Sequence, residues 1–395
     1  MSPRLLVLGA GPAQLGLLEA ARERGIWTAV VDRDPGAPGF RLADRRCILS
    51  TEDEPAIERL LGALEIDGIV SPGTDWPVGV AARIAERAGL PHPITPQTAV
   101  LATNKLRQRE RLAEAGVPQP RVWVLGGEDD PPEVDGPVVV KAPDRQGQKG
   151  LTLVEGRPQL AEAVETARAA ARNGLALVEE LVDGPEVTVV GFSVGGAFTA
   201  LTVTDRLVAD PPAFGVALAH VWPSEHGAGA EGVAARAVAA LGIENGPSYT
   251  QLRVDGDGPK VIEVAARLGG GHDAELVRAV TGVDLNGLAI DAALGRELVL
   301  SQHKVRVGGA VTKFLVAPTG ILDHAEVPED LPGVERVRVY REPGFVFTPL
   351  RRGSDRAGAV LAVGDTRAEA LARANAAADR IRFVTADAGD VVQTG

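Results

Sequence analysis

Apolar and polar positions alternate along this chain in blocks that change period several times. Leu5 to Leu8 form a short apolar run that stops at a glycine turn; apolar residues then recur at helical spacing over 15–24, and Ala29-Val30-Val31-Asp32 returns to strand character. This is a βαβ unit. A strand over 68–70 and a helix over 78–88 continue the alternation, so residues 1–97 are expected to form a small doubly wound parallel sheet, closed by the proline-rich stretch Pro91 to Pro96.

Beyond it, 104–115 has helical spacing and ends at Gly116 and Pro118, and strands are predicted over 121–125, 137–141 and 151–154, bracketing a polar, glycine-containing loop. A helix over 159–173 leads to an apolar segment at 175–178. From 186 to 220 the alternation suits antiparallel strands with one solvated face, followed by helices over 231–241 and 273–280 around a strand at 260–264. The tail has strands and a last helix announced by Thr366 and Glu369 in capping-box spacing. The pattern is that of an α/β and α+β multidomain protein, divided 1–97, 98–178, 179–304 and 305–395.

With 395 residues and 45% hydrophobic content the chain is too long for one core of ordinary size. A formal charge of −12 with no basic cluster argues against nucleic acid as a partner. The lone Cys47 allows no internal disulfide, residues 1–30 lack signal-peptide character and no apolar run is long enough to span a bilayer; a cytoplasmic protein with no membrane partner is expected.

Two glycine turns invite chemical readings. Gly9-Ala10-Gly11-Pro12-Ala13-Gln14 resembles a dinucleotide turn with Asp32 as the ribose acid, but Gln14 replaces the third glycine and Pro12 removes a backbone donor. Two alternatives remain: a tight turn without ligand, or a substrate site at this helix start using Gly11 and Gln14. Gly269-Gly270-Gly271-His272-Asp273 also opens a helix, and N–H groups at Gly270 and Gly271 could hold a substrate carboxylate; Asp75 is placed in the same substrate site. His220 and His226 flank Trp222-Pro223 and are expected to be solvated loop histidines. No Ser, His, Asp arrangement and no Cys and His metal cluster stands out.

Several motifs, in order, resemble those of the ATP-grasp superfamily. Asn104-Lys105-Leu106 and the later Gly116-Val117-Pro118-Gln119-Pro120 are similar to the family's first nucleotide lysine and the turn after its helix. Pro137-Val138-Val139-Val140-Lys141 resembles the strand of the second lysine, and the loop from Asp144 through Gln146, Gly147 and Lys149 to Gly150 resembles the one that closes over the phosphates. Ammonium groups and glycine backbone suit a polyphosphate on chemical grounds as well. Val178-Glu179-Glu180-Leu181-Val182-Asp183-Gly184-Pro185-Glu186 resembles the adenine hinge, implying contacts from Glu179, Glu180 and Val182 and a ribose contact from Glu186. Gln251 and Glu263 resemble the paired metal ligands, with Gln251 where glutamate is usual and Ala265 where asparagine is usual. One carboxylate and one amide oxygen suit a magnesium ion that leans on substrate phosphates, with manganese as a substitute. Arg267 matches the catalytic arginine, whose fork suits an acyl phosphate.

The tail resembles the C-terminal unit of L-amino-acid ligases of the bacilysin dipeptide synthetase type, and the amino-terminal part also resembles biotin carboxylase-like enzymes. What the resemblance implies is an ATP-grasp fold with a pre-ATP-grasp domain and an ATP- and magnesium-dependent ligase. It would join a small carboxylate to an amine through an acyl phosphate, and homodimers occur among its look-alikes. Two other readings stay open: a bicarbonate-activating relative, and a non-catalytic ATP-binding regulator with a reduced metal site.

Overall fold

The computed structural model describes residues 2–127, 129–145, 147–300 and 303–386; Gln146 of the phosphate loop and the last residues of the expected 305–395 unit lie outside them. The amino-terminal sheet is parallel, in the order Arg45–Ile48, Trp27–Asp32, Arg4–Leu8, Gly68–Val70. Its central strand is apolar on both sides because Leu5 and Val7 face one core while Leu6 and Leu8 face another. Strand Arg45–Ile48 is absent from the sequence reading because it is an edge strand with a single buried residue, Cys47. Helix Asp75–Ala88 starts three residues earlier than its spacing predicts, which places Asp75 in its first turn. Pro96 sits in the first turn of a further helix, Pro96–Thr103, capped by the Thr95 hydroxyl, which accepts from Thr98 N at 3.1 Å.

A small antiparallel sheet follows, in the order Val122–Leu125, Ala176–Glu180, Val138–Lys141, Leu151–Val154, with helix Arg157–Ala170 buried against it. The largest sheet has eight antiparallel strands: Gly258–Ala265, Gly246–Asp255, Glu186–Val194, Ala197–Val208, Ala217–Trp222, Gly309–Leu315, Gly358–Gly364 and Val334–Val339. The expectation of a solvated face over 186–220 fails at Glu186–Val194, of which only Val194 is not fully buried. Val187 and Val189 face a core built with helix Ala230–Ala240, whereas Val190 and Phe192 face one built with helices Asp273–Thr281 and Leu285–Ala293. Helices on both faces leave the strand no wet side.

A third antiparallel sheet, Val346–Phe347, Gly320–Glu326 and Arg382–Ala386, lies in the tail. Helix Arg367–Arg380 opens at Thr366, whose hydroxyl accepts from Glu369 N at 3.1 Å; the Glu369 carboxylate returns to Asp365 N at 2.7 Å. Among the described residues no helix is long and apolar enough to cross a membrane.

Candidate active site

A buried ion cluster joins four elements. Asn104 caps helix Lys105–Glu114 by accepting from Arg107 N at 3.2 Å, which fixes Lys105 as its first residue. The Lys105 ammonium donates to Arg145 O at 2.7 Å and lies 3.2 Å from Glu263. On the same helix, Arg109 grips both oxygens of Glu179 at 3.0 Å and donates to the carbonyls of Val261 and Ile262 at 2.7 and 2.8 Å. Lys141, last residue of its strand, lies 2.6 Å from Glu179.

Burial alone would raise the Glu179 carboxyl, but Arg109 and Lys141 outweigh it and hold its pKa down at about 2. Glu263 is likewise held low: burial opposes ionisation, and Lys105, Arg267 and Lys141 favour it more strongly. The cluster therefore aligns both lysines, the hinge and the Glu263 strand as one unit. Its sequence separation, 70 residues between Arg109 and Glu179, is why Arg109 escapes motif reading.

The hinge follows directly. Glu180 pairs with Arg121 at 2.9 Å, and the Val182 carbonyl accepts from Arg253 at 2.8 Å. Gly184 is required: an added Cβ would sit 1.9 Å from the Val254 carbonyl oxygen. Glu186 is engaged by Arg206, by Arg253 at 3.2 Å and by the Gln251 amide N–H at 2.9 Å. Gln251 and Glu263 are register partners on adjacent strands, so their side chains share one face. Because Gln251 donates through its amide N–H to Glu186, its carbonyl oxygen is left as an acceptor on the face it shares with Glu263. That donor set, one ionised carboxylate and one neutral oxygen, fits a magnesium ion whose other ligands come from phosphate and water.

Two joined clefts enclose these groups. One, of about 110 Å³, is lined by Val139, Glu179 to Val182, Glu186 and Ile262. The other, of about 470 Å³, runs past Lys105, Lys141, Gln251 and Glu263 to Gly11, Gln14, Asp75, Gly147, Lys149, Arg267, Gly270 and Gly271. Of the residues assigned from sequence, Gly150 alone lines neither. It makes a left-handed turn (φ 66°) against Ala170 and accepts from Ala142 N at 3.0 Å, shaping the base of the loop. The larger cleft presents Lys105, Lys141, Arg145, Lys149, Arg206, Arg267, Arg352 and Arg356 against only two carboxylates, Asp75 and Glu263, among the described residues. In a chain of charge −12 this is a strong local reversal of sign.

At the far end Arg267 pairs with Asp75 through Nε and donates from Nη1 to Leu268 O at 2.8 Å. Its neighbour turns are less free than their sequence suggests. Asp32, the apparent ribose acid, accepts from Ala10 N at 2.8 Å and Asp34 N at 3.0 Å, so it braces the turn. The Gln14 side chain covers Gly9 and donates to Thr74 at 3.1 Å. The Gly271 N–H, expected to be open to a substrate, donates to Asp273 at 3.1 Å. His220 also departs from expectation. It lies in strand Ala217–Trp222, 2% exposed, with Nδ1 3.0 Å from Asp273; His226 is exposed. The apolar neighbours Ala219 and Val221 are the signal that this is a strand rather than a loop.

The L-amino acid ligase C-terminal domain 2 family model matches residues 313–386. The chain is 29% identical over 379 residues to the uncharacterized protein y4rH of Sinorhizobium fredii, an alignment covering 89% of this chain and 77% of that one. It is 27% identical over 405 residues to carnosine synthase 1 of Gallus gallus, covering 93% of this chain and 43% of that longer protein. Among solved structures, the L-amino acid ligase of Bacillus licheniformis superposes with a TM-score of 0.81 at 23% identity, over 98% of this chain and 99% of that one.

Proposed function

We propose that this chain, which has the ATP-grasp fold, is an ATP-dependent ligase that joins a small carboxylate to an amine and releases ADP and phosphate. The observation that carries this reading is the larger cleft: eight cationic side chains converge on it, and Glu263 with its register partner Gln251 lines it together with Lys105, Lys141 and Arg267. A polyphosphate and a substrate carboxylate are the anions such a site suits.

Adenine would lie against the hinge from Glu179 to Val182, met by backbone, since the Glu179 carboxylate is committed to Arg109 and Lys141. Ribose hydroxyls would reach Glu186, and Lys105 and Lys141 would hold the phosphates, with Gly147 and Lys149 above them. Glu263 and the Gln251 carbonyl would hold one magnesium ion, which when bound neutralises phosphate charge. In the first step an oxygen of the substrate carboxylate attacks the γ-phosphorus, the bond to the bridging oxygen breaks, and ADP leaves with its electron pair. In the second, the amine attacks the acyl carbon, phosphate leaves and the nitrogen gives up a proton. Arg267, fixed by Asp75, has the fork to stabilise the charge that develops in both steps.

The test is phosphate release by the purified protein with magnesium and ATP across pairs of amino acids, with single amino acids and bicarbonate as controls. Release that needs a particular pair, with a product of condensed mass, supports the ligase; release with bicarbonate alone replaces it by the carboxylating reading.

A further inference from the structure

Most cations of the larger cleft already face a carboxylate. Lys105 faces Glu263, Lys141 faces Glu179, Arg206 faces Glu186, Arg267 faces Asp75 and Arg352 faces Asp355. Arg145 and Lys149 lie on the loop assigned to the phosphates. Arg356 is different. It belongs to the tail, and its hydrogen bonds go only to backbone carbonyls among the described residues: Nε to Gly353 O at 2.8 Å and Nη1 to Ala217 O at 3.4 Å.

The guanidinium carbon lies over Phe314, 3.7 Å from the ring centre, and His220 meets the same ring edge-on with centroids 5.9 Å apart. Gly271 closes the group: a Cβ there would come within 3.0 Å of His220 Nε2 and 3.2 Å of Phe314 Cζ. Arg356 is also held in place through its neighbour, since Ala357 N donates to Leu315 O at 2.8 Å and Ala357 O accepts from Tyr340 N at 2.9 Å. Burial pulls its pKa below the ordinary value and the nearby Arg206 adds to this, against opposing effects of Tyr340, Tyr249 and the more distant Asp273 carboxylate, which is itself paired with His220. A partly desolvated guanidinium with a fixed geometry and, among the described residues, no carboxylate at ion-pair distance is a prepared seat for an anion.

This anion differs from the one that reacts. Arg267 is tied to Asp75 and senses Glu263, at the metal end, whereas Arg356 shares its wall with Tyr340 and His220. We propose that Arg356 seats a second substrate carboxylate, one the reaction does not activate and which survives in the product. The assignment rests on the ligase reading for which carboxylate is the reacting one. The surviving group is either the α-carboxylate of an amino acid serving as the amine or a side-chain carboxylate of the acyl donor.

The test is equilibrium titration of the full chain, loaded with magnesium and ADP, with the proteinogenic amino acids and their α-carboxamides. The wild type is expected to bind at least one acid about tenfold or more tighter than its amide, the scale of a charge-assisted bidentate contact. Arg356→Gln should lose that preference, Arg356→Lys should keep part of it, and retained MgADP binding certifies that both variants fold. An Arg356-dependent preference for the acid that is lost only on amidating the α-carboxyl identifies the amine's carboxylate; one seen for aspartate and glutamate over asparagine and glutamine identifies the donor's side chain. Equal binding of acids and amides, unchanged affinity in Arg356→Gln, or no acid bound by the wild type overturns the proposal. If acids bind as expected but no pair condenses, the ligase reading fails and the anion seat stands.

Discussion

Replacing Glu179 by glutamine tests the ion cluster that holds the site together. The carboxylate is 1% exposed and faces Arg109 and Lys141, so the variant leaves two buried cations with only an amide between them. A carboxyl moved from its ordinary 4.5 to about 2 in the folded state represents about 3 kcal/mol at neutral pH. Removing one partner of a buried pair costs about 3–5 kcal/mol, so the two routes agree. Because the folded-state value is depressed, this stability is fully present above about pH 4.5 and is lost as pH falls towards 2. Urea unfolding followed by tryptophan fluorescence is a suitable assay, since Trp123 pairs in register with Val178, beside Glu179. We expect Glu179→Gln to unfold at markedly lower urea at neutral pH, the gap to wild type narrowing in acid. A loss below about 1 kcal/mol, or a gap that does not change with pH, would refute the cluster as the source of this rigidity.

Three further substitutions separate the roles of neighbouring groups. Arg267→Ala should leave nucleotide binding nearly intact while lowering turnover by about two orders of magnitude or more, read from steady-state phosphate release. Lys141→Ala should weaken ATP binding by titration, and an unchanged dissociation constant would remove Lys141 from the phosphate site. Glu263→Gln should raise the magnesium concentration needed for half-maximal rate, because only neutral protein oxygens then remain at that position.

Much of the site was legible because its parts are local. Lys105, Lys141, the stretch from Glu179 to Glu186, and the pair Gln251 and Glu263 each sit in short motifs on one strand, hinge or helix start. What sequence could not give is pairing across distance. Arg109 reads as one charge of a polar helix until the fold sets it against Glu179, and His220 reads as a loop residue until strand Ala217–Trp222 lies between two others and opposite Asp273. Arg356 lacks any motif, and its meaning comes from having, among the described residues, no carboxylate at ion-pair distance. The strands that escaped notice had the same kind of cause: Arg45–Ile48 is an edge with one buried residue, and edges carry little apolar signal.

The central claim is that a substrate carboxylate is activated by phosphorylation. Using a productive substrate pair, the most direct measurement is to label the carboxylate with heavy oxygen, run the reaction with magnesium and ATP, and weigh the released phosphate by mass spectrometry. The account predicts transfer of one labelled oxygen to phosphate in each turnover, since the acyl carbon–oxygen bond is the one that breaks. Unlabelled phosphate alongside a condensed product would contradict it.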